Sequence, residues 1–227
     1  MCEPGANAFQ NGSADSFIAE LRPEESPLLR ELREFAAVNN VPILRSDAAA
    51  LLRTLTALKR PARILEAGTA IGYSALLLSE AAPEAHIETV ELDADTAALA
   101  MRNIDRAGRS DRIRVILGDA AAVSAALRGP YDMIFLDSAK GQYVRLLDDV
   151  LRLLPAGGLL VADNCLFYGK ILDEPADAPH KHRTIVANLR AFLSRVAGSG
   201  EFEASLLPVG DGVLLAVRKD AQNDPRK

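Results

Sequence analysis

The sequence predicts an α/β fold: a mostly parallel sheet with helices on both faces and an antiparallel hairpin at its edge. Three features predict it. From Arg63 onward, short apolar runs alternate with longer stretches of helical periodicity, the pattern of repeated strand-helix-strand units. The residues directly after those runs are polar, as expected at the carboxyl rim of an open parallel sheet. Two final apolar runs, Phe202-Leu207 and Val213-Val217, are separated only by Pro208-Val209-Gly210-Asp211-Gly212, which suits a hairpin.

The elements follow in order. Residues 1–16 are rich in Gly, Asn, Ser and Ala without periodicity and read as a disordered tail, as do the polar residues 220–227. Residues 17–219 read as a single domain, opening with a helical cap over about 17–60. Ser26-Pro27 is a helix start, a capping hydroxyl followed by proline at the first helical position, with Leu28, Leu32 and Phe35 at helical spacing. Ser46-Asp47 opens a second helix, with Leu51, Leu52, Leu55 and Leu58 expected on one face. Strands are predicted at Ile64-Ala67, Ile87-Glu91, Ile113-Leu117, Met133-Leu136 and Leu159-Ala162, which with the final pair makes seven. Helices are predicted at 74–82, 95–107, 121–127, 143–154 and 182–197.

Composition narrows the function. With 227 residues, 49% of them hydrophobic, the chain can build one substantial core and little more. A formal charge of −5 argues against holding nucleic acid by bulk electrostatics, though not against a local basic patch. No signal or transit peptide and no membrane-length apolar run is apparent, so a cytoplasmic location and no membrane partner are expected. Cys2 and Cys165 have no partner spacing, which argues against a disulfide framework. The His180-Lys181-His182 pair lies in a Pro-rich, charged stretch without further ligands nearby and reads as solvated loop.

The rim positions carry the chemistry. The first strand runs into Glu66-Ala67-Gly68-Thr69-Ala70-Ile71-Gly72-Tyr73-Ser74, where glycines let the backbone approach a ligand and a helix then opens. Ala70 breaks the Gly-x-Gly-x-x-Gly pattern of dinucleotide sites, and no phosphate-binding Gly-Lys-Ser or Gly-Lys-Thr loop occurs. About 20 residues on, Glu91 ends the second strand, where a carboxylate accepts hydrogen bonds from both hydroxyls of a ribose. Gly118-Asp119-Ala120 ends the third, at a position suited to an adenine edge. Ribose and adenine without pyrophosphate indicate an adenosyl ligand.

This loop resembles that of the catechol-type and caffeoyl-CoA-type class I methyltransferases, which reads Glu-x-Gly-x-x-x-Gly-Tyr-Ser. The resemblance implies a Rossmann-like class I methyltransferase fold and S-adenosyl-L-methionine as cofactor. It further implies that Glu66, Gly68, Ser74, Glu91, Asp119 and Ala120 line the cofactor, with Val41 of Val41-Pro42-Ile43-Leu44 contributing from above.

The fourth strand ends Asp137-Ser138-Ala139-Lys140 and the fifth Asp163-Asn164, bringing two carboxylates and an amide oxygen to one rim. Singly, an Asp-Asn pair after a strand is also a common turn and a lysine a solvated charge. Together they are hard oxygen donors, which suit Mg2+ or a similar cation better than zinc. The same family carries its metal on an Asp after one strand and an Asp-Asn after the next, with a lysine three residues past the first Asp. The resemblance thus implies metal ligands Asp137, Asp163 and Asn164. It implies Lys140 as general base, and Asp137 both as a ligand and as a counter-charge to the sulfonium.

Three segments resemble one bacterial subgroup, the tRNA 5-hydroxyuridine methyltransferases, over about residues 20–219. They are Ala139-Lys140-Gly141-Gln142-Tyr143, Asp163 to Lys170, and Pro208 to Gly212; Cys165 departs from the aliphatic residue usual there. This implies a tRNA anticodon loop as partner and 5-hydroxyuridine, with its vicinal 4-carbonyl and 5-hydroxyl oxygens, as acceptor. Lys170, Lys181, Arg183 and Arg190 are candidate phosphate contacts. The alternative acceptor is a small catechol-like molecule with vicinal hydroxyls. Relatives of this kind form homodimers, and a homodimer is expected.

Overall fold

The computed structural model describes residues 12–174 and 179–220. Seven strands form one sheet: β1 (Arg63–Ala67), β2 (His86–Glu91), β3 (Ile113–Leu117), β4 (Met133–Leu136), β5 (Leu159–Ala162), β6 (Phe202–Leu207) and β7 (Val213–Arg218). Their order is β3-β2-β1-β4-β5-β7-β6. The first five run parallel. Strand β7 pairs antiparallel with β5 and with β6, so the hairpin inserts its second strand into the sheet and leaves β6 at the edge. The strand order reverses between β1 and β4, which puts the switch point, and with it the crevice where ligands gather, between their carboxyl ends.

Every residue of β4 and β5 is buried, as expected of parallel strands covered on both faces. Alternation along the strands sorts the core into two layers. Ile64, Phe135, Val161 and Val213 pack on one face with the N-terminal helices. Leu65, Ile134, Leu160 and Ala216 pack on the other, against α7 (Tyr143–Leu153) and α8 (Arg183–Gly198). The remaining helices after β1 are α4 (Tyr73–Ala81), α5 (Ala94–Arg106) and α6 (Ala120–Ala126), so all five fall within a residue of the predicted bounds. Helix α4 is buried from Tyr73 to Ser79, which explains its apolar character on every side: the sheet lies beneath it and the helical cap above.

The cap differs from expectation in two respects. Its helices are α1 (Gly12–Glu20), α2 (Pro27–Asn39) and α3 (Ser46–Lys59). Residues 12–16, expected as tail, form the first turns of α1; Ala14, Phe17, Ile18 and Leu21 recur at helical spacing behind the Gly-Ser start. The rest of both expected tails, 1–11 and 221–227, lies outside the described residues. Ser26 caps α2 as expected, accepting a hydrogen bond from the Leu29 N–H at 3.4 Å. The buried stripe, however, is Leu29, Leu32 and Ala36, with Phe35 exposed. In α3 the buried residues are Ala48, Ala49, Leu52 and Thr56, and Leu58 is exposed. The small residues win because they let α3 sit close to α4, and the Thr56 hydroxyl is satisfied by the Leu52 carbonyl at 2.8 Å. Among the described residues no helix is long and apolar enough to cross a membrane.

Candidate active site

A cavity of about 750 Å3 opens at the carboxyl ends of β1 to β5, walled above by residues 40–45 between α2 and α3. Its first wall is the loop after β1. Gly68 has φ +102°, and a Cβ there would lie 2.4 Å from the Asp137 carbonyl oxygen, so only glycine lets the β1 loop pass beside the end of β4. The Asp137 N–H donates to the Ala67 carbonyl at 2.8 Å and stitches the two together. Ala70, the residue that breaks the dinucleotide pattern, has φ +46°, and its N–H donates to Glu91 Oε2 at 2.9 Å. Glu91 Oε1 accepts from the N–H groups of Leu92 and Asp93, both at 3.0 Å. Three backbone donors thus fix the Glu91 carboxylate at the cavity wall with lone pairs left for a ligand.

Asp119 caps α6 through Oδ1, which accepts from the N–H groups of Ala121 and Ala122 at 3.1 Å each. Its Oδ2 accepts from Gln142 Nε2 at 3.1 Å. Ala120, Ser74 and Val41 also line this half of the wall. Glu66 does not line the cavity. It is fully buried beneath the loop, where Thr89 Oγ1 donates to its Oε2 at 2.5 Å and Oε1 has no protein partner. Burial pushes its carboxyl up to about 8, against hydrogen bonds from Ser74 and Thr89.

The other half of the cavity is acidic. Asp137, Lys140, Asp163 and Asn164 all reach its wall. Lys140 Nζ donates to Asp137 Oδ1 at 2.9 Å. Burial raises the Asp137 carboxyl pKa and Lys140 opposes the rise; burial, then the charge of Asp137, takes Asp163 up to about 6. Asp163 Oδ1 is buried without a partner. The two strand ends are held by one side chain from α7, for the buried Tyr143 hydroxyl donates to the Leu136 carbonyl at 2.9 Å and lies 3.2 Å from that of Asp163. After β5 the chain turns sharply at Asn164, φ +55°, a conformation asparagine tolerates, and Cys165 swings into the core under α7 and α8.

The donors present fit a hard divalent cation: two carboxylates and an amide oxygen on one wall, with one carboxylate oxygen orphaned in the protein interior. Among the described residues no three His, Cys, Asp or Glu side chains converge as a metal cluster, and the His180/His182 pair forms none either. His182 instead sets its ring edge against Phe167, 5.3 Å between centroids. Sequence reasoning missed Gln142, Tyr143, Tyr168 and Asp211. All four lie in segments singled out for other reasons, and only the packing of α7 and of the β6-β7 turn against the rim assigns them places.

The order of the sheet and the cavity at its switch point define a Rossmann-like class I methyltransferase fold. Over residues 19–219 the sequence matches the O-methyltransferase family, and the chain belongs to it. It is 33% identical to a catechol O-methyltransferase of Niastella koreensis over 219 residues, covering 91% of this chain and 97% of that one. It is 31% identical to caffeoyl-CoA O-methyltransferase 2 of Populus trichocarpa, covering 92% and 90%. Among solved structures it is similar to the O-methyltransferase TomG of Streptomyces achromogenes in complex with SAM, with a TM-score of 0.81 and 26% identity over 92% of this chain and 96% of that one.

Proposed function

We propose that this O-methyltransferase takes its methyl group from S-adenosylmethionine and, with Mg2+ or a similar cation, transfers it to one of two vicinal oxygens on a planar acceptor. The observation that carries this reading is the pairing, in one cavity, of a backbone-fixed Glu91 carboxylate with the orphaned, buried oxygen of Asp163. Glu91, Asp119 and the Gly68 turn suit the adenosyl half of a donor, and relatives of this fold are known bound to SAM. Asp137, Asp163 and Asn164 would hold the cation, which when bound lowers the pKa of the acceptor hydroxyl and fixes its orientation.

The chain's own groups do the rest. The close approach of Gly68 to Asp137 sets the loop that would hold the donor against the rim that would receive the acceptor. Lys140 donates to Asp137, and as an ammonium it has no lone pair, so it can receive the acceptor's proton at Nζ only after giving up a proton of its own to solvent. Asp137 offsets the positive charge of the donor.

For the acceptor, a small catechol-type molecule is favoured. The net charge is −5, and Arg190, one of four basic residues considered for phosphate contact, is already engaged by the Asp173 carbonyl and the Glu174 carboxylate. The reading of 5-hydroxyuridine in a tRNA anticodon loop draws support from the rim. There Tyr168 is 76% exposed and Lys170 lies over the Phe167 and Tyr168 rings, a surface on which a splayed base can stack. Incubating the protein with methyl-labelled S-adenosylmethionine, Mg2+ and either catechol or undermethylated bacterial tRNA separates them. Label in catechol alone supports the small acceptor, label recovered as 5-methoxyuridine supports tRNA, and label transfer undiminished by chelator overturns the cation.

A further inference from the structure

One carboxylate of the cavity has no part in the ligand set above. Asp211 lies in the turn between β6 and β7, is 7% exposed, and reaches the same wall as Asp163 and Asn164. Its two oxygens have different surroundings. Oδ1 accepts the Tyr168 N–H at 2.7 Å, while Oδ2 is buried without any protein partner.

The backbone around Asp211 shows what Oδ1 does. The Leu166 N–H donates to the Asp211 carbonyl and the Cys165 N–H to the Gly212 carbonyl, both at 2.8 Å. A Cβ on Gly212 would lie 2.4 Å from Leu166 Cγ, so the turn fits tightly over the chain following Asn164. That chain holds Asn164, Phe167 and Tyr168 at φ +55°, +48° and +53°, three non-glycine residues in a costly region of backbone space. At its other end the Gly210 N–H donates to Asp47 Oδ2 at 3.0 Å, which anchors the turn on the first residues of α3. Asp211 therefore pins the strained segment that carries Asn164.

The free Oδ2 requires a separate account. A buried carboxylate oxygen with no donor is costly, and a ligand that supplies the donor relieves that cost. Direct coordination is disfavoured, because Asp137, Asp163 and Asp211 do not converge as a three-acid cluster. An oxygen near the ligand set but outside it is suited to a hydrogen bond from water held by the cation. Resting on the cation reading above, we propose that Asp211 is a positioning residue for the cation: Oδ1 holds the Asn164 segment in place and Oδ2 accepts a hydrogen bond from a cation-bound water.

Asp211→Asn tests this. Its amide oxygen can still accept the Tyr168 N–H, which leaves an NH2 group, a donor, where Oδ2 was. By calorimetry with MnCl2 on the full chain saturated with S-adenosylhomocysteine, the Kd for Mn2+ is expected to rise at least about tenfold. Affinity for S-adenosylhomocysteine and the melting temperature without metal should stay close to those of the unsubstituted protein. An unchanged Mn2+ Kd overturns the role of Asp211 and leaves the cation reading intact; no Mn2+ binding by the unsubstituted protein overturns both. Should Asp211→Asn fail to fold, a crystal of the unsubstituted protein with Mn2+ decides. Oδ2 bonded to a metal-bound water supports the proposal, and Oδ2 bonded to a protein group or to the ion itself refutes it.

Discussion

Gly68 and Asp137 touch backbone to backbone: a Cβ on the glycine would stand 2.4 Å from the carbonyl oxygen of the aspartate. This contact joins the donor half of the cavity to the acidic half, because the loop after β1 and the end of β4 meet at the switch point of the sheet. Gly68→Ala must either push the loop into the cavity or displace Asp137, at a φ of +102° that alanine resists in any case. The expected result is at least about a tenfold loss of S-adenosylhomocysteine affinity by calorimetry, with destabilisation of a few kcal/mol.

Tyr143 closes the same junction from below. Its hydroxyl serves the carbonyls of Leu136 and Asp163, each one step from a predicted ligand or itself part of one. Tyr143→Phe preserves the ring packing on Phe192 while removing the one buried O–H that serves these carbonyls, of which that of Leu136 keeps the Asp163 N–H at 3.0 Å. A loss of about 1–2 kcal/mol in chemical denaturation is expected, together with a kcat decrease that exceeds any change in KM for the methyl donor. Equal stability of the two proteins would show that the hydroxyl contributes nothing there.

Glu66 gives a pH signature. Its carboxyl titrates near 4.5 when unfolded and at about 8 in the fold, where burial favours the neutral acid. A raised folded value means the stabilising contribution is complete below about 4.5 and is lost as pH climbs through 8. The protein should therefore lose stability across that window, and Glu66→Gln, neutral at every pH, should be more stable at pH 8 by at least about 1 kcal/mol. Melting temperatures of both proteins from pH 5 to 9 check this; parallel curves would contradict it.

Much of the site was legible because strand ends can be read from apolar runs, and the residues just past them fall on one rim by topology alone. Gly68, Glu91, Asp119, Asp137 and Asp163 were assigned to the rim in that way, and all five line the cavity. Glu66 falls short of the cavity because it lies inside β1, in register with Phe135 and two residues below the level of Asp137, so its side chain is buried in the sheet and does not reach the rim. Leu58 and Phe35 have the helical spacing of a buried face and are nonetheless exposed, whereas Ala36, Ala48 and Ala49 are buried and permit the closer packing. Asp211 was hidden by its setting, since Gly-Asp-Gly in a hairpin reads as turn chemistry and nothing local shows that the turn folds over another loop.

Asp163 carries opposite costs for stability and function. Its carboxyl is buried beside Asp137 with one oxygen unsatisfied, so without a cation the pair is a liability. Asp163→Ala should melt at the same temperature or higher than the unsubstituted protein when metal is absent. It should bind S-adenosylhomocysteine as before and lose methyl transfer by about a hundredfold or more. Full turnover of this variant in chelator would remove Asp163 from the chemistry.

The most direct test of the cation site is a crystal grown with S-adenosylhomocysteine and MnCl2, with diffraction recorded at the manganese edge. The expected map places one anomalous peak within about 2.4 Å of side-chain oxygens of Asp137, Asp163 and Asn164. A nucleoside bound at Glu91 with no peak at those three residues, or a peak on other ligands, would contradict the account.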